Sequence, residues 1–485
     1  MDPNKLSCLC TLAGLAVTAA ACAPAALLSS ASDASVTDSA SSVDSTAAFD
    51  SPSVADAALA ADSTVADSGA VDSGAVDAPL DMGVPPALDA AIANPCSLSG
   101  SILFTASGKQ TVGNLPSGSP DLSFIQLPPG FCLHYYATVG NARQIRVAPG
   151  GELFVASPST PTTGGGPGGE NAIVVLPDDN HDGVGDSPVT FLSNLGSTQG
   201  ILFARNTFYY QDALAIRQLP YVAGQRKAAG PGAIVTSITI YESALHWPKT
   251  LDMADDGTLY VGNGGDQGET CDITRPFHGG ILKLDGTDGG APVAKGLRNP
   301  IAVRCWEGHA TCFALELAKD YSAAEGGREK LIPIRQGDDW GFPCCATQNV
   351  PYGGVTTTDC SETTPDTDSF LIGDTPFGLD FAPGSWPGNW ANAAIVATHG
   401  AAGSWTGARV VAVGMDGATG LPQPATDIDG SDQGAMVDFA TGWDDGSLAH
   451  GRPAAVTFAP DGRLFLANDT NGIIVWIAPI APMTP

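Results

Sequence analysis

The sequence predicts an all-β protein: a six-bladed β-propeller preceded by a signal peptide and a disordered Ala/Ser/Asp-rich tether. Three observations carry this prediction. A hairpin pattern recurs along the second part of the chain, helical periodicity is nearly absent from it, and the composition changes abruptly near residue 95.

The N-terminal segment carries one lysine, Lys5, followed by an apolar, alanine-rich run from Leu9 to Ala21 that is too short for a permanent membrane span. It ends Val17-Thr-Ala-Ala-Ala21-Cys22, and small residues before a cysteine suit a lipoprotein signal peptidase. Residues 1–22 are therefore expected to be a signal peptide with a lipobox, and Cys22 the lipidated N-terminus of an exported bacterial lipoprotein, periplasmic or on the cell surface. Simple secretion after an Ala-x-Ala site is the alternative. Residues 23–95 are almost wholly Ala, Ser, Asp, Val and Gly, with units such as Asp67-Ser-Gly-Ala-Val71 repeated at Asp72. Such a segment cannot bury enough apolar surface to offset its backbone entropy, and its spaced aspartates repel one another. It reads as an extended tether, so membrane contact is expected only through the lipid anchor.

The formal charge of −30 argues against nucleic acid and against adhesion to anionic lipid, both of which need a lysine- or arginine-rich surface. Residues 96–485 are large for one ordinary core but suit an architecture that adds cores side by side.

The repeat is an alternating apolar strand, a turn with Pro or Asp and Gly, and a second alternating strand. It is plain at Ile145–Ala156, Leu251–Gly262 and Val456–Ala467, and weaker at 200–210, 300–315 and 377–397, which makes six. In the Val456 copy, Pro460 presets the first turn angle and Gly462 supplies the positive φ that closes the hairpin. Repeats of this length, mostly strand and turn, fit propeller blades; two packed β-sandwiches are the alternative.

Eight cysteines follow the tether: Cys96, Cys132, Cys271, Cys305, Cys312, Cys344, Cys345 and Cys360. In an exported chain they read as disulfides. The sequence suggests Cys96 with Cys132 and Cys305 with Cys312 across a short hairpin, and it assigns the neighbours Cys344 and Cys345 to different partners, because a bond between them strains the intervening peptide.

Several motifs, in order, resemble the glucose/sorbosone dehydrogenase family over most of residues 125–480. They are Pro129-Gly-Phe131, Asn141-Ala-Arg-Gln144, His246 before Asp255-Asp-Gly-Thr-Leu-Tyr260, Gly265-Asp-Gln-Gly268, Gly296-Leu-Arg-Asn-Pro300, Gly337-Asp-Asp-Trp-Gly-Phe-Pro343, His399-Gly400 and Gly451-Arg-Pro453. The resemblance implies oxidation of a sugar or related aldehyde or alcohol, with hydride passing to pyrroloquinoline quinone (PQQ) held with the help of calcium, and electrons leaving to a cytochrome or quinone acceptor. That chemistry needs a base for the hydroxyl proton, a carboxylate to orient the base and a cation beside the quinone oxygens. By resemblance His246 is the base, Asp266 the orienting carboxylate, and Arg298 the facing cation with Asn299 beside it; Gln199 and Lys249 are further cofactor contacts.

Each residue also has a structural reading. His246 can pack in a loop against Trp247, Asp266 can close an Asx turn, and Arg298 can tie one blade to the next through carbonyls. The stretch that corresponds to the family's calcium-holding segment, Asp320–Lys330, has a different sequence.

A separate cluster, Asp178, Asn180, Asp182 and Asp186 with Gly183, resembles the first half of a calcium loop, although position 189 is Val where such loops place a glutamate. It is either a structural calcium site or an acidic solvated hairpin. Three functions are thus in view: a PQQ-dependent sugar dehydrogenase, a non-catalytic propeller that serves as a binding module, and a calcium-dependent hydrolase.

Overall fold

A computed structural model describes residue 92 and residues 94–480, except 116, 160–167, 239–245, 266–269, 272–276, 320–327, 347–349, 354, 356–357, 365–368, 371–373, 402–403 and 424–435. The segments expected to be signal peptide (residues 1–22, with Cys22) and tether (nearly all of 23–95), and Asp266, lie outside the described residues.

The six sequence repeats form six antiparallel sheets, and each repeat supplies the two innermost strands of one of them. The first blade is Gln144–Val147, Leu153–Ser157, Ala172–Leu176 and Val189–Leu192; the second opens with Ile201–Ala204 and Thr207–Asp212, and the third with Leu251–Met253 and Leu259–Asn263. The fourth opens with Asn299–Cys305 and Cys312–Leu317, the fifth with Pro376–Phe381 and Ala394–Thr398, and the sixth with Pro453–Phe458 and Leu464–Asn468.

The ring closes in the sixth blade. Its third strand, Ile473–Pro479, pairs with Phe131–Thr138 from the start of the domain, and a hairpin of Ile102–Thr105 and Gly108–Thr111 extends that sheet to six strands. The Cys96–Cys132 disulfide pins the first described turn to this closing strand.

Buried apolar side chains gather at the blade–blade interfaces, one cluster at each. Alternation explains this: each strand presents one face to each neighbouring blade, so a period of two fills two cores at once. Between the first and second blades, Phe154 meets the Phe191 and Phe203 rings edge-on at 5.0 and 4.8 Å.

The other expected disulfide, Cys305–Cys312, closes the inner hairpin of the fourth blade. Cys344 and Cys345 do take different partners, Cys271 and Cys360. The segment before them departs from simple blade geometry. After the fourth blade's third strand, Glu329–Pro333, residues 337–342 run parallel to the outer strand of the third blade: Trp340 donates its N–H to the Lys295 carbonyl at 3.0 Å, and Phe342 donates to Gly296 at 2.9 Å. The Gly337–Pro343 motif thus adds an outer strand to the preceding blade.

Because strands alternate in direction, the starts of the innermost strands and the ends of the second strands share one end of the ring. This end is the mouth. Loops arriving there from different blades converge on the central channel.

Candidate active site at the channel mouth

Every blade sends polar residues to the mouth: Arg143 from the first, Gln199 from the second, Lys249 and Asn263 from the third, Arg298 and Asn299 from the fourth, His399 from the fifth, and Arg452 and Asp469 from the sixth. His246 arrives on the connection into the third blade.

His246 is 4% exposed, and its Nδ1 lies 2.9 Å from the carbonyl oxygen of Gly265. A carbonyl can only accept, so Nδ1 carries the ring hydrogen and Nε2 is the basic nitrogen. Gly264 makes this approach possible, since a Cβ there would collide with the His246 side chain and sit 2.8 Å from its carbonyl oxygen. The same site lies 3.2 Å from Asn299 Oδ1, and the Gly265 N–H bonds the Arg298 carbonyl at 2.6 Å. The Gly264-Gly265 pair therefore draws His246 and the Arg298-Asn299 corner together. Asp266, the next residue and the expected orienting carboxylate, is outside the described residues; among the described groups the Gly265 carbonyl holds the His246 Nδ1 hydrogen.

Arg298 is 8% exposed, with its N–H on Glu316 Oε1 at 2.8 Å and its Nη1 on the Ala318 carbonyl at 3.2 Å. That bond lies within the fourth blade, not across to another one. Glu316 also binds Lys330 Nζ at 2.7 Å. Lys249 is fully buried, with its backbone N–H on Gln211 Oε1 at 2.9 Å and its Nζ 3.4 Å from the His246 carbonyl. Gln199 accepts from Arg143 Nε at 3.4 Å.

A group absent from the expected set occupies the far side of the mouth. Arg143 reaches Asp469 at 3.1 Å, and its guanidinium lies over the Phe377 ring at 4.6 Å and the Trp247 ring at 5.9 Å. Arg452 grips both oxygens of Asp469 at 2.9 and 3.0 Å. His399 stacks on Phe377 at 3.7 Å, with Nε2 3.4 Å from Asp469 in an electrostatic contact too poorly aligned to be a hydrogen bond. Arg143, His399 and Arg452 stand inside recognised motifs, so the signal for them was present. Asp469 follows the last repeat, and nothing local distinguishes it.

Burial lowers the Arg143 guanidinium to about 10, against the pull of Asp469, so it stays charged at neutral pH. Burial works to raise the Asp469 carboxyl, and the surrounding positive groups overcome it and hold the acid well below the usual range. Burial first, and then Arg452, keep the His399 ring well below 6.5 and hence neutral.

This has a measurable consequence. The unfolded chain binds a proton near pH 6.5 that the folded His399 refuses, so stability should fall as pH drops below 6.5, by about 1.4 kcal/mol per unit, until the folded pKa is reached. Denaturant titrations between pH 7 and 5 should show this slope, and His399→Asn should flatten it. Equal slopes in the two proteins would disprove the assignment.

Asp178, Asn180, Asp182 and Asp186 do not meet the mouth. Their loop joins the first blade's third and fourth strands at the opposite end. There Asp178 accepts the N–H groups of Asp182 and Gly183 at 3.1 Å each, Asn180 accepts from Asp182 at 3.0 Å, Asp182 from Val184 at 2.9 Å, and Asp186 from Asp179 at 2.9 Å. The four expected ligands are thus engaged by the loop's own main chain. Among the described residues no three His, Cys, Asp or Glu side chains are grouped to hold a metal ion.

No protein-family model and no curated protein matches the chain. Solved structures match it in fold. A calcium structure of the Trichoderma reesei Carbohydrate-Active Enzymes Family AA12 protein aligns at TM-score 0.59 and 18% identity, over 76% of this chain and 99% of that one. The holo form of the pyranose dehydrogenase PQQ domain from Coprinopsis cinerea aligns at TM-score 0.59 and 16% identity, over 75% and 98%. The apo form of the soluble aldose sugar dehydrogenase from Escherichia coli aligns at TM-score 0.50 and 11% identity, over 72% and 99%. At these identities the likeness establishes a six-bladed propeller.

Proposed function

We propose that this chain is a PQQ-dependent dehydrogenase that oxidises a sugar at the channel mouth. The observation that carries the reading is the mouth's charge. In a chain of net charge −30, four cationic side chains, Arg143, Lys249, Arg298 and Arg452, gather at the mouth, where Asp469 and Glu316 are the carboxylates that meet them among the described residues. Such a surplus suits an anionic ligand, and PQQ carries three carboxylates. Two buried polar atoms in the same region, Thr198 Oγ1 and Asn299 Oδ1, have no hydrogen-bond partner, as expected of groups awaiting a ligand.

The residues present therefore fit the cofactor, with Arg298, Asn299, Gln199, Lys249 and Arg452 to hold it. When bound, PQQ supplies a hydride acceptor. The chain does the rest. His246 Nε2 takes the substrate hydroxyl proton, the Gly265 carbonyl stabilises the imidazolium that results through Nδ1–H, and the cationic rim favours negative charge as it develops. The class of substrate fits the named activities of the pyranose dehydrogenase and the aldose sugar dehydrogenase that share the fold, and an electron acceptor such as a cytochrome or quinone completes the cycle. Export on a lipid anchor through Cys22 would place the enzyme outside the cytoplasm.

Titrating the purified chain with PQQ and calcium tests the reading. A shifted quinone spectrum and dye reduction with a panel of aldoses are expected. Failure to bind PQQ at any calcium concentration would leave the propeller as a binding module.

A further inference from the structure

The channel holds an unusual cation beneath the mouth. Arg146, on the first blade's innermost strand Gln144–Val147, is 5% exposed. Its Nε is buried without a hydrogen-bond partner, and no carboxylate among the described residues forms an ion pair with it. The nearest acids, Asp252 and Asp380, are held by Arg304 at 3.0 and 2.8 Å. Burial and the like charge of Arg304 bring the Arg146 guanidinium down to about 10, so it remains protonated at neutral pH. A buried charge left in this state is costly unless something compensates it.

The space beside it indicates what does. Arg146 lines a narrow cavity, with room for little more than one water-sized sphere, together with Arg143, Gln144, Gln199 and Thr250, and no Asp or Glu lines it. The Gln144 oxygen already accepts the Ile201 N–H at 3.0 Å, and the Gln199 oxygen accepts from Arg143, which leaves their NH2 groups as the remaining hydrogen-bonding ends. The Thr250 hydroxyl is buried without a partner. The side chains around the cavity thus offer two guanidiniums, two amide NH2 groups and a hydroxyl able to donate, with no carboxylate among them.

We infer that the channel binds one small monovalent anion of chloride size between Arg143 and Arg146, with the Thr250 hydroxyl and the two glutamine amides completing its shell. The ion compensates Arg146 and ties the inner strands of the first and third blades through a common ligand. The competing arrangement is ordered water that bridges Arg146 to the Asp252–Arg304–Asp380 group, which carries one excess negative charge.

Bromide distinguishes the two. Crystals of the full chain, grown without halide and soaked in bromide, should show an anomalous peak against the Arg146 guanidinium. In solution, Tm should rise by about 3–5 °C between halide-free gluconate and chloride at 100 times its dissociation constant, at equal ionic strength. Arg146→Met should make Tm indifferent to the anion. If that variant fails to fold, Thr250→Val, which keeps the guanidinium, should shift the chloride dependence to about tenfold higher concentration. No peak at Arg146, or the same Tm in both salts, overturns the inference and leaves water as the occupant. All of these readings are made without PQQ, so they stand or fall apart from the redox function.

Discussion

His246→Ala should lower turnover by about 10²–10⁴-fold while leaving PQQ bound, the range expected when a positioned proton acceptor is removed. The reasoning is local. The ring is buried, its Nδ1 hydrogen is fixed on the Gly265 carbonyl, and the Gly264 backbone comes so close that no larger residue fits there. With the hydrogen on Nδ1, Nε2 is the ring's basic nitrogen. The quinone spectrum separates the outcomes: loss of both turnover and bound PQQ makes His246 a cofactor contact, and normal turnover assigns the base elsewhere. His246→Gln, which retains a polar group of similar reach but cannot act as a base, should be as inactive as the alanine variant.

The largest effect on stability is expected at Asp469. This carboxylate is fully buried and serves Arg143, Arg452 and the Thr470 hydroxyl together, so Asp469→Ala leaves two guanidiniums in a dry site without their common counter-charge. Breaking a buried ion pair from one side costs about 3–5 kcal/mol. Asp469→Asn keeps the volume and one acceptor and should cost less than the alanine variant. The measurement is denaturant unfolding of the chain without cofactor. A loss below about 1 kcal/mol for Asp469→Ala would show that the two arginines find other partners and that Asp469 does not organise the mouth.

These two sites stand in different relation to the sequence. His246 and the Arg298-Asn299 corner were singled out by the family resemblance, each within a short motif, and the fold brings them to the same end of the ring. Arg143, His399 and Arg452 were also in recognised motifs, yet their roles were hidden, because what matters is the carboxylate they share. Asp469 is about 326 residues from Arg143 along the chain, and only ring closure brings them to 3.1 Å. The alternating oxygen side chains of the Asp178 loop, which the sequence offers either as a cation shell or as an acidic hairpin, cap N–H groups within their own turn, and the same spacing serves both uses.

By itself the sequence determined the propeller, the number of blades, the inner hairpin of each and three consequences for disulfide pairing, since alternation, turn residues and near-neighbour geometry are local properties that repeat. Only the tertiary structure decided which charges face one another across the channel, that residues 337–342 lie along the third blade, and that Arg146 stands without a partner. Those relations depend on distances between blades, and such distances exist only once the first strand of the domain has paired with the last and closed the ring.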